Sequence, residues 1–277
     1  MSHLERYKKV DILVEPSKEQ VFEYMEKCEP FLIKKCAKNW VALNKWNDEF
    51  LKAHYGHHPL RIHRTSDKHN AQMMPFGEFI DYMKSADETD PFYASSWEFS
   101  HDYRELVEDY DVPSYFDCMI RERLPDELLH GDAKMLLLRW MYIGPKNSGS
   151  LLHLDVCGTH AWNAVISGKK EWTFYGPDQS AYLYDGAVDS FEPDLEKHPL
   201  FEQAIGYYAE QEAGDVIFTP CTHWHQVKNV EAGISITENF INHTNLSHVR
   251  TALNEDEDIS EDQAQFITEL LPEILTA

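Results

Sequence analysis

From residue 136 onwards the sequence changes from a helical pattern to a β-strand pattern. Before that point apolar residues recur mainly at helical spacing, as they do over residues 75–84. After it, short segments rich in Val, Ile, Trp, Tyr and Thr alternate with glycine and proline turns, at residues 136–143, 161–166, 171–175, 215–219 and 233–241. Several short strands at this spacing are typical of an antiparallel sandwich or barrel.

The regions on either side of these strands are predicted to be largely helical. Ser17 and Gln20 form a capping box that begins a helix, and Pro30 ends it. Further helices are expected at residues 40–54 and 75–84, and short strands at 31–33 and 60–63. In the tail, Phe266, Leu270, Leu271 and Ile274 recur at helical spacing.

The chain is predicted to form a single domain over residues 1–277, because it has no internal repeat and no Pro/Gly/Ser-rich linker. An N-terminal α/β shoulder (1–135) precedes the strand-rich core (136–243), and C-terminal helices (244–277) cover it. These last helices could pack on their own chain or on a second copy, so we expect a monomer or a homodimer.

A net charge of −23, from 25 Lys+Arg and 48 Asp+Glu, limits the partners of this chain. Nucleic acids and anionic membranes are both bound through Lys and Arg, so we expect no nucleic acid and no membrane as partner. The acidity is uneven: nine acidic residues lie between Asp87 and Asp111, against one basic residue, Arg104. This pattern favours a basic protein or peptide as partner, and plain solubility is the alternative.

Cysteine usage and the N-terminus predict a cytoplasmic protein. The number of cysteines is odd and no pair has CxxC spacing, which favours free thiols in a reducing compartment. The first ten residues contain no apolar signal segment, and no stretch approaches 18 uncharged apolar residues.

Two histidine-containing segments provide a candidate metal site. His153 and Asp155 are two residues apart, and in a strand they would share one face. A histidine from another strand would complete a two-histidine, one-carboxylate set, which holds Fe(II) and leaves three positions open. His223 and His225 are both candidates for this third ligand. A hydrolytic zinc site is the alternative use of the same residues.

Three other residues near these segments are expected to have supporting roles. His160 is seven residues from His153, so we expect it to pack near the site or to support the ligands rather than to bind metal. Cys157 and Cys221 lack CxxC spacing, and we expect them to be small buried apolar residues.

Lys170 is predicted to point into the protein. It alternates with Trp172 and Phe174 on one face of a strand, and that apolar face is the inner one. A buried ammonium needs an anionic partner, which a dicarboxylate such as 2-oxoglutarate would provide. The alternative is a lysine whose stem packs on the sheet while its ammonium reaches water.

A second strand carries a polar face that could line a cavity. Thr237 and Asn239 share this face, opposite Ile234 and Ile236. A polar face turned inward fits a cavity wall, and an ordinary solvent-facing surface explains the same pattern.

An ordered series of motifs connects these residues. It comprises HLD (153–155), GTHAWN (158–163), GKKEW (168–172), GDVIFTP (214–220), WH (224–225) and TENF (237–240), with PFLI (30–33), PFY (91–93), LVEDYDVP (106–113) and IGP (143–145) outside or beside the core. Over about residues 25–245 the chain resembles the Jumonji-C family of Fe(II)/2-oxoglutarate oxygenases. Within that family it is most similar to the bifunctional arginine demethylase and lysyl-hydroxylase group.

The resemblance implies a fold and a role for each matching residue. It implies a mainly β protein, a double-stranded β-helix (a cupin-like jelly roll) with flanking helices. The residues implied to hold Fe(II) are His153, Asp155 and His225, which selects His225 over His223. Those implied to bind 2-oxoglutarate are Lys170 and Thr237 at its distal carboxylate, Tyr93 at the mouth of the pocket, Asn163 and, near the site, Ser150.

The resemblance also implies the reaction. With Fe(II), 2-oxoglutarate and O2, the chain would hydroxylate a protein or peptide side chain, with lysine favoured, and release succinate and CO2. The alternatives are removal of N-methyl groups by the same chemistry, or a non-catalytic cupin-fold binding protein. The chain lacks the basic stretches of the group that it resembles, and this departure concerns the substrate rather than the iron chemistry.

Overall fold

The computed structural model describes residues 3–124, 138–256 and 259–277. Its strands are β1 (Lys8–Lys9), β2 (Asp11–Leu13), β3 (Phe31–Ile33), β4 (Pro59–Arg64), β5 (Asp67–Pro75), β6 (Phe92–Trp97), β7 (Arg139–Gly144), β8 (Gly149–His153), β9 (His160–Tyr175), β10 (Tyr207–Glu212), β11 (Val216–Thr219) and β12 (Trp224–Phe240). Its α-helices are α1 (Lys18–Glu26), α2 (Ala42–Lys45), α3 (Asp48–Tyr55), α4 (Phe76–Ser85), α5 (Phe99–Asp102), α6 (Met119–Arg123), α7 (Leu246–Glu255) and α8 (Glu261–Leu270).

Seven short 3-10 helices complete the described elements. They span His3–Arg6, Arg104–Asp109, Val156–Gly158, Pro177–Tyr182, Tyr184–Gly186, Pro199–Gln203 and Pro272–Leu275. Most of them lie in the connections between strands of the core.

Two long antiparallel strands, β9 and β12, organise the core. They pair from Trp224 opposite Tyr175 to Phe240 opposite His160. In one half of the β9–β12 pair, β9 pairs with β11, which pairs with β3. In the same half, β12 pairs with β7, which pairs with β6. The other half is flanked by β10 and β8. The result is the mainly antiparallel jelly roll with flanking helices that the sequence predicts.

The two halves of β9 and β12 meet at a pair of glycines. A Cβ on Gly233 would lie 1.9 Å from the carbonyl oxygen of Ser167, so only glycine permits this close approach of the strands. Gly168 has a φ of +81°, a conformation that glycine adopts without strain. The register between the strands shifts at the same place. The glycine segment therefore bends one continuous strand, where the sequence predicts separate strands at 161–166 and 171–175.

Aromatic side chains fill the space between the core and the N-terminal shoulder. The rings of Phe31 and Phe218 stack with centroids 4.9 Å apart, and Phe116 stacks on Phe218 at 6.3 Å. All three are fully buried. Burying each ring contributes roughly 1.5–3 kcal/mol, which anchors β3 against β11.

The predicted helices and strands around the core are present with the expected type, but some of their bounds differ and further strands occur. The helix expected at residues 40–54 is divided into α2 and α3, because Asn47 caps α3 by accepting a hydrogen bond from the Phe50 amide at 3.0 Å. The sequence pattern does not predict six of the observed strands, namely β1, β2, β5, β6, β8 and β10. The first two residues of the predicted strand at 136–143 lie outside the described residues.

The C-terminal helices pack on their own chain. Ile267, Leu271 and Ile274 are buried in the same apolar cluster as the core strands. Their apolar face is therefore already used within the chain, and a homodimer through these helices stays a prediction. No helix in the described ranges is long and apolar enough to cross a membrane.

Asp109 joins two elements of the shoulder, and its replacement by alanine is expected to destabilise the fold by about 1–3 kcal/mol. Its carboxylate is buried and accepts hydrogen bonds from Trp46 Nε1 and Lys45 Nζ, each at 2.8 Å. Removing it leaves the buried indole N–H without this acceptor. Urea unfolding measures the effect, and Asp111→Ala at an exposed position two residues away is the matched control. Equal stability of the two variants would contradict the role assigned to Asp109.

Candidate metal centre

Side chains of two neighbouring strands and of the segment that follows one of them meet at one end of the jelly roll. His153 is the last residue of β8, and His225 lies directly opposite it on β12. Nε2 of His153 lies 3.9 Å from Oδ1 of Asp155, and Nε2 of His225 lies 3.7 Å from the same oxygen. All three ligand atoms lie within 4.8 Å of one another.

Asp155 reaches this position although β8 ends two residues earlier. Its backbone stays extended, with φ −74° and ψ 155°, so its side chain emerges on the same side as that of His153. The face-sharing pair predicted from the sequence is therefore present without a regular strand at Asp155.

Hydrogen bonds fix both imidazoles in the form that binds a metal. Nδ1 of His153 lies 2.7 Å from the Leu151 carbonyl oxygen, and Nδ1 of His225 lies 3.1 Å from that of His223. Because a carbonyl only accepts, each Nδ1 carries the proton, and each Nε2 has a lone pair available to a cation that would also contact the Asp155 carboxylate.

The electrostatics of the centre also suit a divalent cation. Burial lowers the pKa of His153 and of His225 to about 4, so both rings are neutral at physiological pH. Burial raises the pKa of Asp155, while a hydrogen bond from Asn239 opposes this shift. Two neutral nitrogens and one carboxylate form the set found in non-haem Fe(II) oxygenases. The residues present therefore fit iron.

An inner cavity extends from the three candidate ligands to Lys170. Tyr93, Asn163, Thr219 and Thr237 line it, together with Tyr142, Ser150, Ala161, Trp172 and Val227. The site residues that the sequence predicts for 2-oxoglutarate thus surround one space. Tyr93 is 1% exposed and lies inside this cavity, so the prediction that it sits at the mouth is wrong.

Lys170 is buried in the inner cavity without a carboxylate partner among the described residues. Its Nζ donates to Asn229 Oδ1 at 2.7 Å, and Asn229 is itself held by donating to Ser148 Oγ at 2.8 Å. Burial lowers the pKa of Lys170 to about 7. The side chain is 4% exposed, which rules out the alternative in which its ammonium reaches water.

Thr237 and Asn163 supply further polar atoms beside Lys170. Asn163 Nδ2 donates to Thr237 Oγ1 at 2.8 Å, which leaves the threonine hydroxyl proton free to point into the cavity. Asn163 Oδ1 is buried and accepts no hydrogen bond within the described part of the chain. A buried unpaired acceptor is costly, so a water molecule or ligand group that donates a hydrogen bond in this cavity would satisfy it.

A second cavity lies on the outer side of the candidate ligands. Lys68, Trp140, Leu154 and Val156 line it with Ser95, Ser96 and Asn239, while Tyr142, Ser150, His153 and Asp155 border both cavities. Leu154 and Val156 are exposed, so this side communicates with solvent. The candidate metal position thus lies between an inner cavity lined mostly by buried residues and an outer one bordered by exposed residues.

The other candidate residues lie apart from the three ligands. The ring of His223 is outside the ligand group. His160 is fully buried; its Nε2 lies 3.0 Å from Thr244 Oγ1 and its Nδ1 accepts from the Cys221 amide at 2.9 Å, in the packing role expected. Cys157 is not part of the ligand group either, whereas Cys221 belongs to a different cluster described below.

Sequence reasoning misses Asn229, which fixes the ammonium of Lys170. Asn229 pairs with Lys170 across β9 and β12, next to the register shift between those strands. No spacing in the sequence indicates this pairing, because the shift is decided by how the glycine segment bends. Trp140 and Tyr142 of the outer cavity could have been found by their alternation on one strand.

Comparison with known proteins adds a family and a set of relatives. The model of the cupin-like domain matches residues 16–245. The 2-oxoglutarate and iron-dependent oxygenase JMJD4 of Danio rerio is 34% identical over 76% of this chain and 53% of its own length. The arginine-specific demethylase JMJ22 of Arabidopsis thaliana is 30% identical over 83% of this chain and 45% of its own length.

A third relative, the bifunctional arginine demethylase and lysyl-hydroxylase psr-1 of Caenorhabditis elegans, is 28% identical over 89% of this chain and 64% of its own length. The chain thus spans less than two thirds of the length of each of these relatives.

Proposed function

Because this chain belongs to the cupin-like Jumonji-C family, we propose that it is an Fe(II)- and 2-oxoglutarate-dependent oxygenase that hydroxylates a protein or peptide side chain, with lysine favoured. The observation that carries the proposal is the inner cavity, which has a two-histidine, one-carboxylate centre at one end and, at the other, a buried lysine with no carboxylate partner among the described residues. 2-Oxoglutarate is a five-carbon keto diacid, so its keto-acid end would bind the metal and its distal carboxylate would pair with the lysine.

Each residue of the inner cavity has a task in this proposal. His153, Asp155 and His225 would hold Fe(II), leaving open positions for the keto-acid end of 2-oxoglutarate and for O2. Lys170 would pair with the distal carboxylate, and Thr237 would donate a hydrogen bond to it. When bound, Fe(II) would supply O2 activation, which couples conversion of 2-oxoglutarate into succinate and CO2 to insertion of one oxygen atom into a substrate C–H bond.

Water exclusion is a further contribution of the chain. Trp172 and Phe174 stack with centroids 5.6 Å apart, and Trp172 forms part of the inner cavity wall. Lys170 is buried at the inner end, and this low exposure to solvent strengthens the attraction of its ammonium for a carboxylate. The outer cavity leaves room for a side chain that approaches from solvent.

The substrate class rests on the relatives and on the outer cavity. Two of the relatives named above are described as an arginine-specific demethylase and as a bifunctional arginine demethylase and lysyl-hydroxylase. The aromatic side chains of Trp140 and Tyr142 could flank an extended aliphatic stem in the outer cavity. Demethylation of an N-methyl group, by hydroxylation of the methyl carbon and release of formaldehyde, is the second candidate, which the demethylase relatives favour.

A basic substrate remains part of the proposal, but the acidic segment 87–111 supports it less than its composition suggests. Asp109 is buried against Trp46, and Asp102 accepts from Trp97 Nε1 at 3.1 Å. Asp90 accepts from the Thr65 amide at 3.0 Å. These carboxylates have structural partners, and the outer cavity includes the cation Lys68.

The proposed function is tested by mass spectrometry of peptides incubated with the protein, Fe(II), 2-oxoglutarate and 18O2. Hydroxylation adds the labelled oxygen to a side chain and yields succinate in equal amount. Formaldehyde from methylated peptides, without a labelled product from unmethylated ones, would instead establish demethylation. If 2-oxoglutarate is not consumed with any peptide or protein extract, the proposed function is wrong.

Binding of 2-oxoglutarate is expected to weaken about tenfold for each pH unit between about 7 and 9. Above its pKa of about 7 Lys170 is neutral in the free protein, so the carboxylate can bind only together with a proton. His153 and His225 titrate near pH 4 and contribute nothing in this window. Anaerobic calorimetry with Fe(II), in buffers of different ionisation enthalpy, measures both affinity and proton uptake.

The matched variant for this pH dependence is Lys170→Arg, because a guanidinium stays charged throughout the window. Its affinity for 2-oxoglutarate should be independent of pH between 7 and 9. A wild-type affinity that is equally flat would contradict the titration of Lys170.

A further inference from the structure

A second group of potential metal ligands lies outside the iron centre. Sγ of Cys28, Sγ of Cys221 and an imidazole nitrogen of His248 all lie within 4.8 Å of one another. Cys221 is buried, and the other two are partly buried. Tetrahedral zinc with Zn–S near 2.3 Å and Zn–N near 2.0 Å separates such atoms by roughly 3.5–3.8 Å. Small side-chain adjustments would therefore complete the geometry.

The three residues come from distant parts of the chain. Cys28 follows α1, Cys221 lies in the turn between β11 and β12, and His248 lies in the first turn of α7. Cys28 has a φ of +50°, a conformation that usually selects glycine or asparagine after a helix. Here a cysteine adopts this conformation, and its Sγ lies beside the Sγ of Cys221.

The surroundings favour the thiolate, which is the form that binds metals. This holds for Cys28, whose pKa is lowered to about 5 by hydrogen bonds from Cys221 and His248, whereas the contact with Cys28 raises the pKa of both Cys221 and His248. A metal ion would replace the protons that these groups now share, so its binding should weaken as the pH falls.

The cluster borders both segments that carry the iron ligands. Cys221 lies four residues before His225 on the turn into β12, and the Cys221 amide is fixed by donating to His160. The first turn of α7 packs on the 3-10 helix that follows Asp155: a Cβ on Gly158 would lie 2.6 Å from the His248 carbonyl oxygen. A metal ion bound by Cys28, Cys221 and His248 would hold these two segments against the end of α1.

We propose that Cys28, Cys221 and His248 form a zinc site that clips α1 and α7 to the turn preceding the iron ligand His225. Two thiolates and one imidazole suit zinc, whereas the oxygen-containing centre at Asp155 suits Fe(II). Water would take the fourth position. The site shares no ligand with the iron centre, so it can be tested independently of the proposed oxygenase function.

Zinc binding is tested in the Asp155→Ala background, which removes the competing centre. After loading with Zn2+ and desalting, this protein should retain about one zinc per chain by plasma mass spectrometry. Adding Cys28→Ser or His248→Ala should weaken zinc binding by more than about tenfold in competition with a chromophoric chelator. Adding Cys36→Ser, a cysteine outside the cluster, should leave zinc binding unchanged.

Co2+ binding tests the site without substitution of Cys28, Cys221 or His248. The wild-type protein loaded with Co2+ should show thiolate-to-cobalt charge-transfer absorption together with the visible bands of tetrahedral cobalt. Absence of that absorption, or equal zinc retention by the Cys28→Ser protein, would overturn the proposal. A Cys28–Cys221 disulfide, found by mass spectrometry in freshly purified protein that holds no zinc, would also overturn it.

Discussion

Replacing Lys170 by methionine is expected to weaken 2-oxoglutarate binding by about a hundredfold, while Fe(II) binding is retained. The ammonium is buried at the inner end of the cavity, where the Asn229 oxygen accepts from it and the described residues provide no carboxylate. Methionine preserves most of the volume and removes the charge, so the distal carboxylate would be buried unpaired. Anaerobic titration with 2-oxoglutarate in the presence of Fe(II) measures the loss.

Lys169→Met is the matched control for this change. Lys169 is the preceding residue of β9 and points to the other face, where it forms an ion pair with Glu210 at the surface. Surface ion pairs contribute about 0–1 kcal/mol, so this variant should bind 2-oxoglutarate as the wild type does. If the two variants bind the co-substrate equally well, Lys170 does not have the role proposed for it.

The stability of the Lys170→Met protein separates loss of binding from loss of folding. The pKa of Lys170 is about 7 in the folded chain, against about 10.4 in an unfolded one. The unfolded state therefore binds more protons between these values, and wild-type stability should rise with pH across this window. The variant should lack this rise and should be more stable than the wild type at pH 7 when no 2-oxoglutarate is present.

Replacing Asp155 by alanine is expected to lower the rate of succinate formation at least about a thousandfold. The carboxylate is the only charged member of the ligand set, and its Oδ1 is close to both imidazole nitrogens. Without it, two neutral rings remain and Fe(II) loses both a ligand and the charge that offsets its own. Iron retention after desalting and succinate formation should fall together.

His223→Ala is the control for a change near the iron centre that spares its ligands. His223 lies two residues before His225, just ahead of β12, and its ring is outside the ligand group. This variant should retain iron and most of the activity. Succinate formation at the wild-type rate by the Asp155→Ala protein would refute the iron centre and with it the proposed function.

The N-terminal shoulder and the core strands illustrate how much the sequence specifies. Residues 31–33 and 60–63 form strands and residues 76–85 a helix, as predicted, because each has local periodicity and flanking Pro or capping residues. The division of residues 40–54 into two helices depends on one capping hydrogen bond at Asn47. The polar strand β5 has no alternating pattern and forms only by pairing with β4.

The candidate ligands can be predicted from the sequence because they lie close together along the chain or belong to recognisable motifs. His153 and Asp155 are two residues apart, and the inward direction of Lys170 follows from alternation with Trp172 and Phe174. The choice of His225 over His223 came from the resemblance to a family, and the structure agrees by placing His225 opposite His153.

Tertiary structure alone decided the features that join distant segments. The partner of Lys170 depends on the register of β9 and β12, which shifts where two glycines allow the strands to approach. The cluster of Cys28, Cys221 and His248 unites residues more than 25 positions apart, and Tyr93 lies inside the cavity rather than at its mouth. Local sequence fixes the direction of a side chain within its own element through periodicity. Which distant side chains meet is settled only when the packed core sets how those elements are placed.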